Sequence, residues 1–99
     1  MSLSSAQIRY LRGLGHQLRP VVTIADKGLS ENVLAELDSA LDTHELIKVK
    51  LRGERETRKA WIEEITRQFK AERIHVIGQV VCFYRRNPKK PVIALPGKA

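Results

Sequence analysis

Apolar positions recur along this chain with two different periods. Ile8, Leu11 and Leu14 follow one another at the spacing of a helix face. Ser4 and Gln7 ahead of them form a capping-box pattern, in which hydroxyl and amide each satisfy a free backbone N–H. The spacing predicts a first helix from Ser5 to Leu14, with Gly15 as its C′ residue and Arg9 and Arg12 on the outer face. Pro20 closes the connection, and Val21-Val22-Thr23-Ile24 reads as a short buried strand. After the four residues Ala25-Asp26-Lys27-Gly28, Ser30 is placed as an N-cap and Glu31 complements the helix dipole. Leu29 before that cap can pack on Leu34, which fixes how the loop enters the helix. Val33, Leu34, Leu37, Ala40 and Leu41 form the apolar stripe of a second helix that runs to about Thr43.

From Ile47 the period drops to two. Ile47, Val49 and Leu51 face one side of a half-buried second strand, and Lys48, Lys50 and Arg52 the other. Gly53 breaks it, and a third helix is expected from about Glu56 to Lys70, with Trp61, Ile62, Ile65 and Phe69 inward. Ile74 to Ile77 and Val80 to Arg85 read as two strands joined by a tight turn at Gly78-Gln79. Phe83 and Tyr84 then point to opposite faces, leaving one of them free to meet solvent. Pro88, Pro91 and Pro96 exclude the tail from any central strand, with Val92 to Leu95 still able to form an edge strand. The order α-β-α-β-α-β-β predicts a two-layer α/β domain with a mixed sheet against helices.

With 99 residues, one domain over 1–99 is expected, with a basic, proline-containing tail from about 87. The net charge of +7 is unevenly distributed. Five acids and no base lie between Lys27 and Lys48, whereas six bases and no acid follow Glu72. A molecule polarised in this way can present one face to a polyanion and keep another repelled from it. Cys82 is the only cysteine, so neither an internal disulfide nor a cysteine zinc site is available. The N-terminus does not read as a signal peptide, and no apolar stretch reaches membrane-spanning length, so a cytoplasmic protein that does not engage a membrane is expected.

Three features carry candidate binding chemistry. In the loop Ala25-Asp26-Lys27-Gly28, Lys27 can neutralise a phosphate while the free N–H groups at the start of the second helix hydrogen-bond it, and Gly28 allows positive φ and a close approach. The plainer reading is an ordinary strand-to-helix turn. Lys48, Lys50 and Arg52 lie about 7 Å apart along one strand face, close to the phosphate spacing of a nucleic-acid strand; a solvated face guarding a sheet edge is the alternative. Arg85, Arg86, Lys89 and Lys90 carry no compensating acids and read as a flexible basic tail, which adds affinity without specificity. The third-helix cations are interleaved with acids, as in Glu63 and Arg67, and read as a self-compensated face. Catalysis finds no support: His16, His44 and His75 fall on different elements, Cys82 lies within an apolar strand, and metal-ligand spacing, P-loop and nucleophile elbow are all missing. No cofactor is expected.

The chain also resembles a known family. The runs Leu11-Arg12-Gly13-Leu14-Gly15-His16, Pro20-Val21-Val22, Lys27-Gly28-Leu29 and His44-Glu45-Leu46-Ile47-Lys48-Val49-Lys50, with Val76-Ile77-Gly78 and Val80 to Arg85, are similar to the CRM domain (chloroplast RNA splicing and ribosome maturation) in its bacterial, stand-alone, YhbY-like form. The resemblance implies a KH-related fold similar to the C-terminal domain of the third translation initiation factor. It implies RNA binding through a GxxG-type loop and adjacent basic surface, and association with precursors of the large ribosomal subunit. Carried onto this chain, the RNA-binding residues are Ala25, Asp26, Lys27 and Gly28, with Arg12, Lys48, Lys50, Arg52, Arg85 and Arg86. Ala25 stands where the pattern has its first glycine, so its backbone is expected to be ordinary and Gly28 to take the special conformation. The expectation is a non-enzymatic, monomeric RNA-binding protein that acts on the pre-ribosomal particle. The rival is a docking module whose acidic second helix, through Glu36, Asp38 and Asp42, captures a basic ribosomal protein.

Overall fold

A computed structural model describes residues 3–96. The elements run α1 (Ser5–Gly15), β1 (Pro20–Ile24), α2 (Glu31–His44), β2 (Leu46–Leu51), α3 (Arg55–Phe69), β3 (Glu72–Ile77) and β4 (Val80–Tyr84). The strands form one sheet in the order β1-β2-β4-β3. β1 and β2 are parallel, with α2 as the crossover that a parallel pair requires. The β2–β4 and β3–β4 pairs are antiparallel, and Gly78 turns the β3–β4 hairpin at φ +55°.

The alternation in β2 sorts the core. Ile47, Val49 and Leu51, with Val22, Ile24, Val81 and Phe83, pack against Leu37 and Leu41 of α2 and Ile62 and Ile65 of α3. This is the expected sheet-and-helix pair of layers. The opposite face is covered as well: Leu11 of α1 packs with Leu46, Ile74, Cys82 and Tyr84, and Ile93 and Leu95 of the C-terminal segment join them. Phe83 and Tyr84 do point to opposite faces, but both are buried because both faces are covered.

Both predicted N-caps form. Ser4 Oγ accepts from the Gln7 N–H at 3.1 Å while the Gln7 side chain accepts from the Ser4 N–H at 3.0 Å, and Ser30 Oγ accepts from the Val33 N–H at 3.3 Å. The end of α1 differs from expectation. The helix runs through Gly15 and caps at His16 in a right-handed conformation. Gly15 serves packing instead: a Cβ there would lie 3.0 Å from Cys82 Sγ, so the end of α1 sits close on β4 at a position where any side chain would have to push Cys82 aside.

The C-terminal segment is the larger departure. Val92 to Leu95 form no strand, and the segment is tied down by Glu45, which is fully buried at φ 64°. Its carboxylate accepts from the backbone N–H groups of Asn87 (2.6 Å), Val92 (2.9 Å) and Ile93 (2.8 Å). A buried carboxylate is tolerated where several donors converge on it. The acid after α2 is therefore a clasp for a segment more than forty residues further along the chain.

Candidate nucleic-acid interface

β1 delivers the loop. The Gly28 N–H donates to the Ala25 carbonyl at 2.8 Å, which closes a turn, and Gly28 takes φ +62°. Ala25 keeps an ordinary backbone, as its side chain requires. The Ser30 N–H donates to the Gly28 carbonyl at 2.9 Å and swings the chain into α2. The amides of Lys27, Leu29, Glu31 and Asn32 have no acceptor among the described residues, so they remain free to bind an anion. Lys27 is exposed above them. Trp61 of α3 supports the turn from below: a Cβ on Gly28 would be 3.4 Å from the indole Nε1, and one on Gly53 would be 3.1 Å from the ring.

β2 brings the cation row to this loop. The Arg52 N–H donates to the Ile24 carbonyl at 2.7 Å, which seats Arg52 beside the start of the turn. Lys50 and Lys48 follow on the α1 face of the sheet. They are half-buried rather than fully solvated, because α1 and the residues after it cover part of that face. Long lysine stems accommodate this, lying on apolar surface with the ammonium outward. Lys48 belongs to a cross-strand row in which it pairs with Pro20 and Cys82, and Cys82 in turn with His75. Burial pushes the Cys82 thiol above its ordinary value of 9.0, partly opposed by the Lys48 charge, which makes the group a buried small side chain rather than a thiolate nucleophile.

At Lys48 the row meets a cavity of 340 Å³ between the end of α1 and the sheet. Arg12 lines it, as do His16, Arg19 and His75, none of which the sequence reading counted as binding residues. Their adjacency depends on α1 lying across β2, β4 and β3, a packing that periodicity does not disclose. The one sequence signal, and for His16 alone, is its place in the run Leu11-Arg12-Gly13-Leu14-Gly15-His16 that carries the family resemblance.

Arg85 and Arg86 are not part of this arrangement. They follow β4 at the end of the sheet where β2 begins, about 17 Å in strand length from the end where β2 meets the loop. Arg85 is also not free of acids: its guanidinium donates to Asp38 at 3.0 Å and Asp42 at 2.8 Å, two residues of α2. It anchors the C-terminal segment to that helix. The expectation of a flexible, uncompensated tail is therefore corrected at Arg85, since acids distant in sequence lie adjacent in space. The same pairs engage two of the three acids that the docking rival requires. In α3, Arg67 pairs with Glu64 rather than Glu63.

Among the described residues no group of His, Cys, Asp and Glu is placed to hold a metal ion, and no helix is long and apolar enough to cross a membrane. Fold and surface define a small basic α/β module with a glycine-closed turn at a helix start beside a row of cations. Comparison with known proteins gives this class its family. The CRS1/YhbY (CRM) domain model matches residues 3–85, and the chain belongs to that family. An RNA-binding protein of Haemophilus influenzae is 45% identical over 98 residues, which cover 98% of each chain. A protein of Pseudomonas aeruginosa named "Probable RNA-binding protein" is 44% identical over 90 residues, covering 90% of this chain and 86% of that one. A Staphylococcus aureus protein of known solution structure, put forward as RNA-binding, superposes with a TM-score of 0.80 at 32% identity, covering 96% of this chain and all of that one. These relatives are named for RNA binding, not for an enzymatic activity.

Proposed function

We propose that this protein binds RNA, specifically the precursor of large-subunit ribosomal RNA, and assists assembly of the large ribosomal subunit in the cytoplasm. The observation that carries the RNA reading is the continuity of one surface: free amides and Lys27 at the loop, Arg52 hydrogen-bonded beside it, then Lys50, Lys48 and Arg12. A phosphate at the loop is held by backbone N–H groups and the α2 dipole, and its neighbours along the strand meet one cation after another. The names of the relatives support RNA as the polyanion. The ribosomal part of the reading rests on the family resemblance. The protein acts without catalysis, by holding an RNA conformation during assembly.

The test is ultraviolet crosslinking of the tagged protein in cells, followed by sequencing of the attached RNA. Crosslinks concentrated on large-subunit precursor are expected. Crosslinks spread over unrelated RNAs would reduce the protein to a general RNA binder, and no RNA at all would sink the reading.

A further inference from the structure

The cavity beneath the end of α1 has a construction that phosphate binding alone does not require. Its floor is the cross-strand row Pro20, Lys48, Cys82 and His75, extended by the apolar side chains of Val80 and Ile77. Its roof is the last turn of α1 and the residues after it, brought down onto Cys82 because Gly15 has no side chain. At 340 Å³ it falls in the range of about 300–1,000 Å³ typical of small-molecule sites. Five cationic or imidazole side chains line it (Arg12, His16, Arg19, Lys48 and His75) and not one carboxylate. An apolar, partly enclosed floor with a basic rim matches an anion joined to a flat apolar ring.

We propose that this cavity takes one unpaired nucleotide of the bound RNA, with the base on the apolar floor beside His16 and His75 and its phosphate on the rim formed by Arg12, Arg19 and Lys48. The proposal rests on the RNA-binding reading above and adds a site to it. Imidazole rings and guanidinium planes are surfaces on which splayed bases stack. The placement along the sheet fits. From Arg52 at the loop to Lys48 at the cavity mouth is about 13 Å of strand, so a single RNA strand held by its phosphates at the loop reaches the cavity within a few nucleotides. A base in a duplex cannot enter without leaving its stack. The site therefore selects single-stranded or bulged RNA over continuous duplex, a preference that phosphate contacts alone do not supply.

The test uses amide NMR spectra of the whole protein titrated with a ten-nucleotide single-stranded RNA, with the same length as duplex, and with inorganic polyphosphate, which has the charge but no bases. Single-stranded RNA is expected to shift the amides of Gly15, His16, His75 and Cys82 as well as those of the loop, whereas polyphosphate shifts the loop and the cation row from Arg52 to Lys48 and Arg12 but leaves His75 and Cys82 unmoved. His75→Ala is expected to lower single-stranded RNA affinity about tenfold, the order associated with loss of one base stack, without weakening polyphosphate binding. His16→Ala, at an exposed position, gives the same pattern and guards against a folding effect at His75. If RNA shifts the loop but not the cavity, or if both variants weaken polyphosphate equally, the nucleotide site is wrong while RNA binding stands. If no RNA shifts the loop, the RNA-binding reading falls and this site with it.

Discussion

Glu45 combines two costs at one position: a non-glycine residue at positive φ, and a carboxylate removed from water. Three converging amide donors offset both. Glu45→Gln leaves one acceptor oxygen for three donors and is expected to cost about 2 kcal/mol, since hydrogen bonds to a charged group are worth about 1.5–3 kcal/mol each. The loss is read from the denaturant midpoint, and faster hydrogen exchange at Asn87, Val92 and Ile93 accompanies it. Unchanged protection of those three amides would refute the clasp. Two further buried groups set an alkaline limit. Burial raises the Cys82 thiol above 9.0, and burial, followed by the Glu45 charge, raises the Tyr84 phenol above 10.0, with Arg86 partly opposing. A raised acid keeps its proton longer in the folded chain than in the unfolded one. Its contribution is complete below the unfolded value and is lost as pH climbs through the folded value. The thermal midpoint should therefore decline as pH passes 9 and then 10, and Cys82→Ala should lessen the first part of the decline. A midpoint that stays level to pH 11 would contradict this.

Among the elements, the helices and the β2 alternation were legible because each is encoded within one turn or one pleat: the capping residues, the apolar stripes and the breaks at Gly53 and Gly78. Gly28's positive φ was legible for the same reason, whereas the ordinary backbone of Ala25 was expected from the family resemblance. What local pattern cannot carry is contact between distant segments. The Glu45 clasp, the Arg85 pairs with Asp38 and Asp42 and the gathering of His16, Arg19 and His75 at Lys48 all join residues from separate elements. The two arginines after β4 show the consequence, since composition grouped them with Lys27 and the fold separates them. This difference can be measured. Lys27→Glu and Lys50→Glu are each expected to lower RNA affinity about tenfold or more. Arg85→Ala is expected to leave affinity within about twofold and to lose about 1 kcal/mol of stability, because its two acidic partners are largely exposed. Equal loss of binding in all three variants would return Arg85 to the interface.

At the scale of the whole molecule, the surplus of positive charge concerns association rather than fold. If the surface from Lys27 to Arg12 makes about five phosphate contacts on a single strand, the logarithm of the binding constant should fall with the logarithm of salt at a slope of about −3.5. Filter binding from low to moderate salt measures it, and a slope near zero would remove the electrostatic mechanism. α2 packs on the sheet face opposite Lys48 and Lys50 and keeps Glu36 exposed there, so the charge has a direction as well as a magnitude.

One small contact reaches further than its size suggests. The Gln7 side-chain amide at the start of α1 donates to the Pro96 carbonyl at 3.3 Å, so the first and last described parts of the chain lie side by side. A domain whose first and last described segments run side by side can be inserted whole into a loop of another protein. It can also be opened at an exposed bend such as Gly78 and closed by a short linker between those two segments, and such a circular permutant would keep every layer of the sheet and its helices in register.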